Sequence, residues 1–357
     1  MSHRMPAIGG GFVWPELAFQ GSDGSQISAI CKRQNISISE QLSPIRYLNS
    51  FSAVLDASAF EEGVNSFVES VLARLHSCGI RKSELHDLWD DLRYERGNTK
   101  AASHRRLEAL LGLDPDENDQ LIISLSKWSR TYGKRALEEI SASTDKAYIT
   151  VTLEDAKMAA RGVKSFAEMP RRNVSSALLS DQAETAPWQQ GQAAAYALRR
   201  QWQLDSQPVS DELLADRLNV SSNKLLDVKE RAPFSFAIRG GAGLGFVLNR
   251  PHSHSRRFDT ARLIGDYVGF DLDDQLRPAT GGVTNRQKFQ RAFAAEFLCP
   301  SEMIRERFSG KLDQGRIGEA VAELSTEYNV AEQLILHHMQ NRNVLPYGIL
   351  QGSLLLA

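Results

Sequence analysis

The sequence predicts an α+β protein, mainly α, in which a helical N-terminal domain precedes a second domain built on helices and a small β-sheet. Three observations predict this. The chain has 357 residues, enough for two cores. Apolar residues recur at three- and four-residue steps through most of it. Strict alternation, the mark of a half-buried strand, is concentrated around residues 234–249. Composition shifts divide the chain into a loosely attached arm rich in Gly, Ser and Pro (1–25), a helical domain (26–167), a polar linker bounded by prolines (168–187) and a C-terminal domain (188–357).

In the helical domain, Phe60, Val64, Phe67, Val68, Val71, Leu72 and Leu75 form one apolar stripe. A second helix is expected over residues 84–96, with Leu85, Leu88, Trp89 and Leu92 facing inward. Gly112 suits the left-handed position beyond a helix end. Asp114, Pro115 and Glu117 then read as cap, first turn and capping-box partner of the next helix, which carries Leu121, Ile122, Leu125 and Trp128 inward. Residues 148–153 are β-prone.

Beyond the linker, helices are expected at 188–202 and within 208–218. Strands follow at 234–239 and 243–249, joined at Gly240-Gly241. Helices at 258–268 and 285–298 come next, the second halted by Pro300. Two more are expected within 317–345.

Composition narrows the function. With 42% hydrophobic and 24% charged residues and a net charge of −2, the chain is not coated in positive charge for nucleic acid. No apolar run reaches the length of a membrane span, and the first residues lack the apolar core of a signal peptide. Three scattered cysteines, Cys31, Cys78 and Cys299, form neither a disulfide framework nor a C-x-x-C metal site, which points to a reducing cytoplasm.

The segment from Arg256 to Phe270 is the most informative. An H-E-x-x-H helix sets two zinc-binding histidines on one face, with a glutamate beside the first as general base. Here the surrounding frame survives as Arg257, Phe258, Ala261 and Gly265, while Arg262, Leu263 and Asp266 hold the three chemical positions. A protonated guanidinium has no lone pair for zinc, and leucine takes no proton from water. Downstream, Phe293-Ala294-Ala295-Glu296-Phe297-Leu298-Cys299-Pro300 completes a second motif.

Hairpin, helix and second motif together resemble the ImmA/IrrE family of bacterial zinc metallopeptidases over about residues 188–345. The resemblance implies a minimal zincin-like domain. It places the first histidine at Arg262, the catalytic glutamate at Leu263, the second histidine at Asp266 and the metal-shell glutamate at Gln287. One carboxylate and one amide cannot replace two histidines and a glutamate. The implied function is therefore a pseudo-metallopeptidase: a regulatory or protein-binding module without catalytic residues or cofactor. Its implied partner is a repressor, toxin or other regulator in a bacterial defence, stress-response or mobile-element setting. Arg262 and Asp266, four residues apart, either point to solvent or pair and engage Gln287 where the metal would have sat, although that order of charges is the weaker one.

Two rival readings stay open. An active zinc endopeptidase would need unconventional ligands, for which His252, His254 and Asp266 are the candidates. A DNA-binding regulator would use the helix-turn-helix-like segments at 210–225 and 317–345, though these offer few cations for phosphate, chiefly Lys224 in one and His337, His338 and Arg342 in the other.

Overall fold

Apolar alternation at the very start of the chain is sparse, yet the first secondary structure is a sheet. The computed structural model describes residues 2–4, 16–21, 26–32, 49–170, 186–227, 232–241, 243–270, 273–308 and 317–341. It divides into two units, Met1–Ile122 and Ile123–Ala357.

In the first unit, β1 (Ser2–Arg4), β2 (Glu16–Gly21), β3 (Gln26–Lys32) and β4 (Phe51–Asp56) form an antiparallel meander in chain order. The expected arm thus contributes two strands, and the remainder of residues 1–25 lies outside the described residues. The expected helical start at residue 26 is also corrected, because β3 and β4 come before any helix. Cross-strand partners share a face of a sheet, so pairing supplies what each short segment lacks by itself. Ala29 and Cys31 are buried on one face.

Helix α1 (Ala57–Ser77) follows directly, its N-terminus capped by the Asp56 carboxylate accepting from Ala59 N at 2.8 Å. Phe60 packs on Phe19 of β2 with ring centroids 5.0 Å apart. The rest of the predicted stripe is not buried: Ala57 alone in α1 is fully enclosed. In α2 (Glu84–Gly97), Trp89 is buried but Leu88 is exposed.

Helix α3 (Thr99–Leu111) ends at Gly112 in the left-handed conformation, φ 64°, as predicted. Glu117 does reach back to Asp114 N, at 2.8 Å, but this closes a turn. The cap of α4 (Asp119–Tyr132) is Asn118, which accepts from Leu121 N at 3.1 Å. Ile122, Leu125 and Trp128 of α4 are buried as expected.

The second unit continues with α5 (Lys134–Ser141) and α6 (Ile149–Arg161). The β-prone run at 148–153 is the start of α6, because Ile149, Leu153 and Ala156 are buried together at helical, not alternating, spacing. After β5 (Ala167–Glu168) most of the expected linker lies outside the described residues. The next elements are α7 (Pro187–Gln201), α8 (Asp211–Arg217) and the single turn α9 (Ser222–Leu225). Pro187 opens α7, and Gln189 Oε1 accepts from Ala186 N at 3.0 Å.

Strands β6 (Ser235–Gly240) and β7 (Gly243–Val247) form the expected hairpin. Helix α10 (Ser253–Gly269) is followed by an unexpected strand, β8 (Leu276–Ala279). The sheet order is β5-β7-β6-β8, antiparallel throughout, with β8 at an edge where Pro278 is tolerated. Helices α11 (Asn285–Leu298), α12 (Ser301–Arg307), α13 (Ile317–Tyr328) and α14 (Glu332–Asn341) complete the unit.

Its main core joins Leu198 and Trp202 of the α7 region, Ala261 and Ile264 of α10, the α11 phenylalanines, and Val321, Leu324 and Tyr328 of α13. Phe289, Phe293 and Phe297 stack along one face of α11, with centroids 6.5 and 5.5 Å apart. In the two helix-turn-helix-like segments, α9 is one turn long, and α14 packs Ile335 and Met339 into this core.

Candidate functional site

Helix α10 is buried from Arg257 to Asp266 on nearly every side. An amphipathic helix would bury only a stripe, so its polar residues must find partners inside. The frame residues have structural duties. The fully buried Arg257 ion-pairs with Asp211, donates from Nη2 to Val209 O at 2.5 Å and from Nε to Asn329 O at 3.0 Å, tying α10 to the segments before α8 and after α13. Burial lowers its pKa to about 10. Gly265 admits Phe293: a Cβ there would meet that ring at 2.5 Å. The two sequence motifs are therefore in direct contact.

The positions marked for zinc chemistry converge in space but hold a polar lock. Arg262, only 3% exposed, donates from Nη1 to Asp259 Oδ1 at 3.0 Å and from Nη2 to Thr280 O at 2.7 Å and Gln287 Oε1 at 2.6 Å. Burial lowers its pKa, with Asp259 opposing that shift. Leu263 is fully buried in an apolar cluster with Ala237, Leu244, Leu248 and Ala279, so the general-base position faces the sheet's hydrophobic side chains.

Asp266 is fully buried and receives both nitrogens of a bidentate Arg286, at 2.6 and 2.7 Å. Arg277 adds a bond at 3.0 Å and Gln290 one at 2.9 Å. Burial alone would raise the carboxyl's pKa. The charges of Arg286 and Arg277, with the hydrogen bonds from Arg286 and Gln290, outweigh it and hold the value at about 2. Burial pulls the Arg286 pKa down, and Asp266 more than reverses it, so Arg286 stays charged.

Gln287 uses all of its hydrogen-bonding capacity. Its Oε1 accepts from Arg262 and from Thr280 N at 2.9 Å. Its Nε2 donates to Glu139 Oε2 at 2.9 Å and Pro278 O at 3.1 Å. A carboxylate could make the first pair of bonds and neither of the second. Glu139 also accepts from Thr284 Oγ1 at 2.6 Å, while Thr284 caps α11. Desolvation raises the pKa of Glu139 against the hydrogen bonds from Thr284 and Gln287 and the charge of Arg286.

Arg262 and Asp266 neither point to solvent nor pair with each other: both are buried, in two separate assemblies. Arg262 joins Asp259 one turn earlier, and Asp266 is claimed by arginines from β8 and α11. A bidentate guanidinium from a packed neighbouring helix outcompetes the weak arginine-first pairing along one helix. The contact of Arg262 with Gln287 is as expected.

Sequence reasoning missed Asp259, Arg277, Arg286 and Glu139 as members. Arg286, inside the expected helix 285–298 and next to Gln287, was the available signal, since a charged residue inside a buried element requires a partner.

The rival zinc set is not gathered. His252 is exposed and precedes α10, His254 lies in its first turn, and Asp266 is twelve residues beyond His254. At helical rise that is about 18 Å, far beyond what one ion spans.

Among the described residues, the group with metal-ligand spacing is instead His104, Glu108, Asp116 and Asp119 in the first unit, whose ligand atoms lie within 4.8 Å of one another. Arg105 engages two of its members, bonding Glu108 at 2.9 Å and Asp116 at 2.9 and 3.1 Å.

No protein-family model, curated protein or solved structure matches the chain. No helix among the described residues is long and apolar enough to cross a membrane.

Proposed function

We propose that this chain is a catalytically inactive pseudo-metallopeptidase of ImmA/IrrE-like descent, acting as a regulatory or protein-binding module. One observation carries the reading. The positions that would supply two zinc ligands, a general base and a third ligand are held by Arg262, Leu263, Asp266 and Gln287, and all four are buried with their functional groups committed to other protein atoms. Arg262 places a cation where a cation would have bound, and Asp266 is neutralised by two arginines. Nothing in such a lock can activate water. Its partner on this reading is a protein, such as a repressor or toxin, in a bacterial defence, stress-response or mobile-element setting.

The experiment is an incubation of the full chain with an unfolded protein substrate and added zinc. No cleavage above the blank is expected, and none that a chelator suppresses. Chelator-sensitive cleavage that is lost on His252→Ala/His254→Ala substitution would restore the endopeptidase reading.

A further inference from the structure

The junction of α3 and α4 gathers four side chains able to hold a metal, all within the first unit. His104 and Glu108 lie four apart on α3 and so share a face. Asp116 lies in the turn after Gly112, and Asp119 opens α4. Glu108 is buried, and its carboxylate is held in one orientation: Oε2 accepts from Arg105 Nη1, and Oε1 from Asp116 N at 2.7 Å. The His104 ring is partly exposed, but its Nε2 is enclosed and makes no hydrogen bond. That nitrogen stands 3.3 Å from Glu108 Oε1 and 3.4 Å from Asp119 Oδ1. It is close to both oxygens and aimed at neither. An enclosed ring nitrogen left in that state calls for another partner.

We propose that this group binds a divalent transition metal, with zinc the best fit, through His104 Nε2 and one carboxylate oxygen each from Glu108, Asp116 and Asp119. Three features select that ligand. Bonds of about 2.0–2.1 Å in a tetrahedral shell set neighbouring donors about 3.3–3.4 Å apart. That is the separation of Nε2 from both of its oxygens. One imidazole among carboxylates favours a first-row transition ion over calcium or magnesium, which take oxygen donors. Finally, Glu95, Glu108 and Asp116 share the single guanidinium of Arg105, and Asp119 adds another carboxylate. A divalent cation offsets that surplus of negative charge. Arg105 then stands behind the metal shell, since it bonds Glu108 through Oε2 while Oε1 is the oxygen that faces His104. Hydrogen-bond donors behind ligating carboxylates serve the same purpose in other metal sites.

Isothermal titration of the chelator-treated full chain with zinc chloride tests this. The wild-type chain is expected to take up zinc with micromolar or tighter affinity. His104→Gln and Asp119→Asn alter a partly exposed and an exposed side chain, so circular dichroism stays unchanged while each weakens zinc binding by about tenfold or more. Glu117→Gln removes an exposed charge from the same turn but no ligand, and is expected to leave the affinity within about twofold of wild type. Absence of zinc binding, or binding indifferent to His104→Gln and Asp119→Asn, overturns the proposal and leaves His104 an ordinary neighbour of two carboxylates. A loss in Glu117→Gln equal to that in Asp119→Asn overturns it too, since only diffuse attraction to an acidic surface would then be at work.

Discussion

Gln287 meets two kinds of partner with one side chain. With Arg262 on one side and Glu139 and Pro278 O on the other, its position requires a group that both accepts and donates, which an amide supplies and an ionised carboxylate does not. Gln287→Glu sets a second carboxylate against Glu139 and leaves Pro278 O without that donor. A loss of about 1–3 kcal/mol in chemical denaturation is expected; wild-type stability in that variant would refute the assignment. Asp266→Asn strands Arg286 and Arg277 in the interior and is expected to cost about 3–5 kcal/mol. The four altered positions were legible in the sequence because a motif marks them. Their partners were not, since Arg286 lies twenty residues from Asp266 and Glu139 lies 148 residues from Gln287, and only packing brings them together.

Among the elements, helices with a strong stripe and punctuation were legible: α11 matches its expected bounds, and Gly112 ends α3 as its residue type demands. Strand β8 was hidden by Pro278, which reads as a loop signal unless the strand is known to be an edge. The first unit's strands were hidden because their pairing partners, not their own alternation, define them. The stripe of α1 was legible as apolar, but periodicity says which face is apolar and not what covers it. Packing between α10 and α11 turns on Gly265. Gly265→Ala drives a methyl into the Phe293 ring, so despite its better helix propensity it is expected to lower stability by about 1–3 kcal/mol, read as a drop in melting temperature. An unchanged or higher melting temperature would show that the two motifs do not pack as described.

For the molecule as a whole, the buried network sets how stability depends on pH. Asp266 has its folded pKa depressed to about 2, so its contribution is present above the unfolded value of about 3.9 and is lost as pH falls between them, on the order of 2–3 kcal/mol. Glu139 acts in the opposite sense. Its raised pKa means that its contribution is complete below the unfolded value and is lost as pH rises through the folded one. Desolvation is the cause, with Thr284, Gln287 and Arg286 opposing it and Asp266 reinforcing it; Arg291 also feels the Glu139 charge. Glu139→Gln keeps an acceptor for Thr284 and removes the buried charge. Its melting temperature should exceed wild type at pH 8, with the gap closing toward pH 4; a gap that is constant across that range would count against an ionisable Glu139.

On the proposed reading, Arg262 and Gln287 fill the ligand positions between α10 and α11 and leave no donors there for zinc. Equilibrium dialysis of the full chain against micromolar zinc, with metal content measured by mass spectrometry, addresses that directly. The lock predicts that neither Asp266→Ala nor the pair His252→Ala/His254→Ala lowers the zinc content below that of the wild-type chain. Stoichiometric zinc that disappears on Asp266→Ala would mean that the arginines give way to a metal, and the account would fail.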